Sequence, residues 1–308
     1  MAAAPPAWGK GRISFLYILP HLHYNHKGGL RDMWWIALPA ALLVAAVALL
    51  FLVYPARPSH AQRAMLERRT YAHRGLYAAD QHVPENSLPA FRAAVEAGYG
   101  VELDVQLTRD GQIVVFHDDT LLRACSLEAR VDAFSYAELT AQMRLFGTDE
   151  RIPLFSEVLS VLDGRVPAIV ELKTGGDRFG LCERTLQMLR AYDGPYCVES
   201  FDPFIVRWFR KHAPDVVRGQ LSEQMRHSRP ALGLWKSLLL SRVCSNFATR
   251  PHFIAYRVGA RPWPVRLANA LGALYVVWTA RPDNGEQRAW ERACDAIIFE
   301  HYRPPVRY

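Results

Sequence analysis

Eight short runs rich in β-branched and aromatic residues recur along the chain: TYAHRG (70–75), GVELDV (100–105), PAIVELK (167–173), YCVES (196–200), VVRGQL (216–221), HFIAYRV (252–258), ALYVVWT (273–279) and DAIIFE (295–300). Several are apolar at successive positions. A strand that is apolar on both faces needs helices on both sides, which is the condition of a covered parallel sheet. Helical stretches do separate the runs; residues 87–97 form one, with Ser87 as N-cap, Pro89 in the first turn and Gly98 just past the end. Eight such strands over roughly 240 residues match the size of a (β/α)₈ barrel. The expected fold is therefore α/β, a (β/α)₈ TIM barrel. No repeat of solenoid period occurs, and no low-complexity tract beyond an Ala-rich start.

One segment departs from simple alternation. In VELDVQLTRDGQIVVFHDD (101–119), Asp110-Gly111 sits between two alternating runs, a two-residue hairpin signal. Counting outward from that turn pairs Arg109 with Gln112, Gln106 with Val115 and Asp104 with His117, so a β-hairpin projects after the second strand. Glu102 shares a face with Asp104 at strand periodicity, and directly opposed residues share a face as well. Glu102, Asp104 and His117 thus converge. A polar-faced hairpin neutralised by Arg74 or Lys173 would need nothing more, but carboxylates crowded on an apolar strand also suit a hard divalent cation.

Barrel topology adds to this cluster. Catalytic groups of such barrels sit at the carboxyl ends of the strands. His73 and Arg74 end the first run, Glu102 and Asp104 the second, and Glu171 and Lys173 the third, all expected at one rim. Glu171 brings a third carboxylate, and three carboxylates with water make a plausible oxygen shell for Mg²⁺ or Ca²⁺.

These residues resemble the glycerophosphodiester phosphodiesterases, a family with a (β/α)₈ fold within the phosphatidylinositol-phospholipase-C-like phosphodiesterases. The matching fragments, in order, are His73-Arg74-Gly75, Pro84-Glu85-Asn86-Ser87, Glu102-Leu103-Asp104, Thr108-Arg109-Asp110-Gly111, His117-Asp118, Ile152-Pro153, Glu171-Leu172-Lys173, Ser200-Phe201-Asp202-Pro203 and Trp278-Thr279. The resemblance implies metal-dependent hydrolysis of glycerophosphodiesters to sn-glycerol 3-phosphate and an alcohol. It implies Glu102, Asp104 and Glu171 as metal ligands and His73 and His117 as the acid/base pair. Arg74 and Lys173 would bind phosphate, Glu85 and Asn86 would complete the polar rim, and Trp278 would wall the glycerol moiety. Two departures lie late in the chain: Val276 stands where the family often has asparagine, and Phe299-Glu300-His301-Tyr302 replaces a T-D-x-P ending. Both bear on the substrate rim.

Before the barrel, residues 33–54 read MWWIALPAALLVAAVALLFLVY, uncharged, with aromatic residues at both ends and long enough to cross a bilayer. Residues 55–69 read as a juxtamembrane linker or helix, and 70–308 as the barrel. Residues 1–32 read as disordered or as a mis-assigned upstream start. Lys27-Gly28-Gly29 is what a purine-rich ribosome-binding site would encode, three codons ahead of Met33. With Met33 as the start of a bacterial protein, the upstream cations vanish, and Arg57, Arg63, Arg68 and Arg69 would hold the barrel on the cytoplasmic side of the inner membrane. Export after cleavage near Ser59-His60-Ala61 is the alternative.

Five scattered cysteines without a C-x-x-C pair fit reduced thiols. The net charge of +7 is spread along the chain without a dense basic block, which argues against nucleic acid. Nothing calls for an obligate protein partner; the partners expected are a glycerophosphodiester or lysolipid substrate and the membrane. Two alternatives stand beside the hydrolase: a lysophospholipase D acting on membrane lysolipids, and a catalytically silent, membrane-tethered lipid or phosphate sensor. His60, His82, His212, His227, His252 and His301 read as surface or loop residues, and 233–247 as a core-facing helix, with membrane contact as its alternative. The start at Met33 is checked by mass spectrometry of the intact amino terminus. A peptide spanning residues 13–27 would overturn it.

Overall fold

The computed structural model describes residues 34–228, 232–282 and 293–307, so the expectations for residues 1–32 fall outside what is described. Nine strands form: β1 (Arg69–His73), β2 (Gly100–Leu107), β3 (Ile113–Val115), β4 (Ala168–Leu172), β5 (Tyr196–Ser200), β6 (Arg218–Ser222), β7 (Phe253–Arg257), β8 (Leu274–Ala280) and β9 (Ala296–Phe299). Eight pair in parallel in the order β1-β2-β4-β5-β6-β7-β8-β9, and β9 pairs back onto β1, closing the expected barrel. The ninth, β3, lies outside, antiparallel to β2.

Strand alternation sorts the side chains. Ala72, Val101, Leu103, Val170 and Val198 share a cluster with Phe91, Phe155 and Phe209 of the surrounding helices, whereas Tyr71, Ile169, Cys197, Phe253, Val276 and Ile298 fill the interior. The lower interior is closed by the helix His60–Leu66, whose amino terminus is fixed by a capping box between Ser59 and Gln62. Leu66, fully buried in the interior cluster, contributes about 1.5–3 kcal/mol there. Toward the carboxyl ends, the inward positions become His73, Glu102, Asp104, Glu171, Lys173, Glu199 and Glu300. The barrel is apolar at one end and ionisable at the other.

The hairpin forms in a register one residue away from the expected one. Gln106 faces Val114, not Val115, and Phe116 N donates to Asp104 O, so Phe116 takes the position opposite Asp104 that was expected for His117. The cause is the turn. Only Gly111 is left-handed (φ +77°), Gly111 N donates to Thr108 O, and Thr108 N to Gln112 O, giving a three-residue loop. Asp110 Oδ1 is committed to Thr108 Oγ1 (2.6 Å) and to Tyr136 N (3.0 Å). Beyond β3 the chain builds a satellite core of Phe116, Leu121, Val131, Leu139, Leu145 and Ile152. It returns through Pro153, whose carbonyl accepts from Val115 N.

Another expectation is reversed at residues 234–241. Helix Leu234–Ser241 turns Ser237 and Ser241 inward and leaves Leu234, Trp235 and Leu239 exposed. Ser241 Oγ accepts from Met225 N and Ser222 Oγ donates to Leu240 O, so polar packing holds the helix on the barrel. Helix Trp34–Val53 is long and apolar enough to cross a membrane. The chain divides into compact units Met1–Val47 and Ala48–Tyr308, and Val53 is fully buried in the second.

His252 is buried, contrary to expectation; its Nδ1 accepts from Arg218 N at 3.2 Å. Burial, then the Arg218 charge, push its imidazole down to about 4. The unfolded chain binds this proton near 6.5 and the folded chain only near 4, so the stabilisation is complete above about pH 6.5 and is lost as pH falls toward 4. The loss is on the order of 3 kcal/mol. Denaturant unfolding across that window should give a shallower pH slope for His252→Gln than for the parent; parallel curves would exclude the role.

Candidate active site

The site begins where β1 ends. Arg74 and Asn86 both adopt left-handed backbone (φ +57° and +56°), a conformation that costs a non-glycine residue of order 1–3 kcal/mol and needs support from its surroundings. Each is held: Arg74 N donates to Glu102 Oε2 at 3.2 Å, and Asn86 N donates to Arg74 O at 2.9 Å. Gly75 (φ +82°) lies against Ala90, where a Cβ would stand 2.9 Å from the backbone, which explains glycine after His73-Arg74.

Glu102, Asp104 and Glu171 come together at the base of the site, buried, with carboxylate oxygens within 4.8 Å of one another. Lys173 Nζ bridges Asp104 Oδ1 and Glu171 Oε1, each at 2.8 Å, and Arg74 Nε lies 3.6 Å from Asp104 Oδ2. Asn86 Nδ2 donates to Asp104 Oδ2 at 2.8 Å. Burial opposes ionisation of Asp104, but Lys173, His117 and Arg74 hold its carboxyl well below the usual range. Burial, then repulsion from Asp104 and Glu171, drive Glu102 well above its ordinary value. Burial lifts Glu171 to about 7 even against Lys173. Three carboxylates against two cations leave unbalanced negative charge in an all-oxygen donor set, and these residues fit a hard divalent cation.

Both expected histidines are present, each with a carboxylate on Nδ1. His73 Nδ1 lies 2.5 Å from Glu300 Oε1 and its Nε2 3.7 Å from Glu102 Oε2; His117 Nδ1 lies 2.6 Å from Asp118 Oδ1. Burial, then Arg74, lower His73; burial, then Lys173, push His117 down to about 4. Despite the shifted hairpin register, His117, two residues beyond the end of β3, lines the cleft. Glu85 pairs with Arg74 Nη1 (2.7 Å) and Arg123 Nη2 (2.6 Å), so it and Asn86 stand one layer back, holding Arg74 and Asp104. Trp278 meets Phe201 edge-to-face at 5.6 Å on the cleft wall.

A cleft of about 1260 Å³ opens above these groups, with His73, Arg74, His117, Glu171, Lys173 and Trp278 in its lining. Glu300, Arg123 and Glu199 were not singled out from sequence. Glu300 occupies the departure at the end of the last strand, and its inward parity with Ile298 was the available signal. Glu199, opposite Glu171 on β5, carries the same signal; burial, then Glu171, raise it well above the usual carboxyl range. Nothing local marks Arg123, which bridges Glu85 and Asp118.

A sequence profile described as the glycerophosphoryl diester phosphodiesterase family matches residues 73–303. A glycerophosphodiester phosphodiesterase of Caldanaerobacter subterraneus is 35% identical over 161 residues, 49% of this chain and 65% of that protein. A lysophospholipase D of Rattus norvegicus is 30% identical over 155 residues, 46% of this chain and 48% of that protein. The chain thus spans less than two thirds of the length of these relatives. Among solved structures, an Oleispira antarctica phosphodiesterase in complex with the product sn-glycerol-3-phosphate superposes with a TM-score of 0.61 at 22% identity, covering 77% of this chain and 94% of that one; the likeness is one of fold.

Replacing Lys173 by Met removes the ammonium shared by two buried carboxylates. Urea unfolding should show a loss of about 3–5 kcal/mol, recovered in part by Mg²⁺ or Ca²⁺. Unchanged stability would contradict this charge balance.

Proposed function

Because the chain belongs to the glycerophosphoryl diester phosphodiesterase family, we propose that it hydrolyses glycerophosphodiesters to sn-glycerol 3-phosphate and an alcohol, with a divalent cation at Glu102, Asp104 and Glu171. The observation that carries this reading is the pair of imidazole–carboxylate dyads beside the three-carboxylate cluster. A carboxylate on Nδ1 fixes the tautomer in which Nδ1 donates and Nε2 is the free acceptor. Nε2 of one histidine takes the proton of the attacking hydroxyl, and the other histidine, once protonated, gives its proton to the leaving alcohol oxygen. Both imidazoles are depressed by burial and by Arg74 or Lys173. An arriving phosphodiester anion offsets those cations, which restores the protonated form that the acid requires. Arg74 and Lys173 keep their charge and counter the negative charge that builds on the phosphoryl oxygens. A divalent cation held by Glu102, Asp104 and Glu171 would supply Lewis-acid stabilisation of developing negative charge. Glu85 and Asn86 keep Arg74 and Asp104 in place. A silent sensor would need neither titrating dyad.

A second reading has its own support. The cleft lining includes the apolar Phe201, Met225, Leu232, Leu240 and Val258, and the helix that carries Leu240 exposes Leu234, Trp235 and Leu239. Such a lining suits an acyl chain, and a lysophospholipase D is among the relatives. We place the enzyme as a single-pass protein of a bacterial-type inner membrane, with the uncharged helix Trp34–Val53 as uncleaved anchor and the barrel on the cytoplasmic side.

Turnover of glycerophosphocholine by the full chain should vanish with EDTA and return with Mg²⁺ or Ca²⁺, the effective ion assigning the cofactor. His73→Ala and His117→Ala should each lower kcat by about 10² to 10⁴. Full activity in His117→Ala would refute its role. Faster turnover of lysophosphatidylcholine than of glycerophosphocholine would select the lysolipid reading.

A further inference from the structure

A second groove, of about 550 Å³, is lined by Pro203, Phe204, Arg207, Arg210 and Lys211 of helix Pro203–His212 and by Ser245, Phe247 and Ala248. Its lining holds three cations and no carboxylate. Arg210 Nη1 is spent on the carbonyls of Phe247 (2.9 Å) and Ala248 (2.8 Å). Arg207 and Lys211 are exposed and form no ion pair among the described residues. The positive charge continues past the groove. Arg218 is pushed down to about 10 by burial and then by Arg210, and Arg250 is lowered by the same two causes. Among the described residues no carboxylate pairs with either; their guanidinium groups bond to backbone carbonyls.

The groove's neighbours identify the surface. Phe247 lies 5.8 Å from the ring of Phe51, and the Arg250 guanidinium sits over the rings of Phe51 (5.2 Å) and Tyr54 (5.5 Å). Arg250 Nη1 also donates to the carbonyl of Phe51 at 3.2 Å, and Asn246 Nδ2 donates to Val53 O at 3.0 Å. Phe51, Val53 and Tyr54 are the carboxyl end of the apolar segment. Residues bonded to the point where a membrane helix leaves the hydrocarbon lie in the headgroup layer, where aromatic rings and basic side chains meet lipid phosphates. Phe204 and Phe247, both exposed, set aromatic rings beside the exposed Arg207 and Lys211, the combination that an interfacial lipid headgroup takes.

We propose that this groove binds the headgroup phosphate of an anionic phospholipid of the bilayer that holds the chain, a reading that rests on the anchor assignment. The groove adjoins the catalytic cleft at Pro203, which lines both, but Arg207, Lys211 and Phe247 are absent from the cleft lining. The test uses the full chain in nanodiscs of mixed phosphatidylcholine and phosphatidylglycerol. Native mass spectrometry of the released protein reads the retained lipid, and alkaline carbonate extraction of membranes reads the anchor. The expected result is a protein that resists extraction and retains phosphatidylglycerol over phosphatidylcholine, with Arg207→Gln/Lys211→Gln losing that preference by roughly ten- to thirtyfold, the scale of two cations at an anionic surface. The variant should still turn over soluble glycerophosphocholine, which shows an intact barrel. Resistance to extraction without lipid preference, or with the same preference in the variant, overturns the groove and leaves the anchor standing. Release by carbonate overturns both.

Discussion

Asp104 gathers three of the site's groups, Lys173 at 2.8 Å, Arg74 at 3.6 Å and the Asn86 amide at 2.8 Å, all on a side chain without solvent exposure. An ionised carboxylate in that position is tolerable only because those donors replace its water. Its charge then raises Glu102 and Glu171, supports Lys173, and draws His117 into the same field. The left-handed turns at Arg74 and Asn86 follow from this requirement, since they bring the guanidinium and amide within reach of Asp104. Removing any member leaves its partners buried and uncompensated. For that reason the cluster behaves as one charge-balanced unit.

A closed barrel can hold such a unit because its two ends have different duties. The lower interior is packed with Tyr71, Ile169, Phe253 and Leu274 and plugged by Leu66, a conventional apolar core. The upper interior uses the same inward positions, two residues further along each strand, for ionisable groups. Stability from the first offsets the desolvation of the second. Glu199, a carboxyl that burial raises well above its ordinary range, marks where one regime gives way to the other.

The surface divides as well. Apolar side chains exposed on helix Leu234–Ser241 adjoin the cleft, whereas the basic groove beside Phe51 and Tyr54 draws its cations from residues outside the cleft lining. The first feature borders the cleft; the second borders the carboxyl end of the apolar segment. Both use residues that a soluble barrel would keep polar or paired.

Local periodicity is set by backbone geometry over a few residues, and it was legible in the sequence. Alternation at period two places Glu102 with Asp104 and Glu171 with Lys173, caps delimit the helix after Ser87, and an uncharged apolar run marks the candidate span. Eight strand-like runs suffice to suggest a barrel, and the barrel rule then gathers three strand ends at one rim. What required the tertiary structure was pairing between distant segments, whose free energy is realised only when the barrel closes. Glu300 reaches His73 across 227 positions because β9 pairs with β1. Tyr136 fixes Asp110 and with it the loop that shifts the hairpin register. Inward serines, not leucines, hold helix Leu234–Ser241, and His252 is buried by its strand's neighbours. Each depends on which surfaces meet, and hydrophobic pattern within a segment carries no record of its partner.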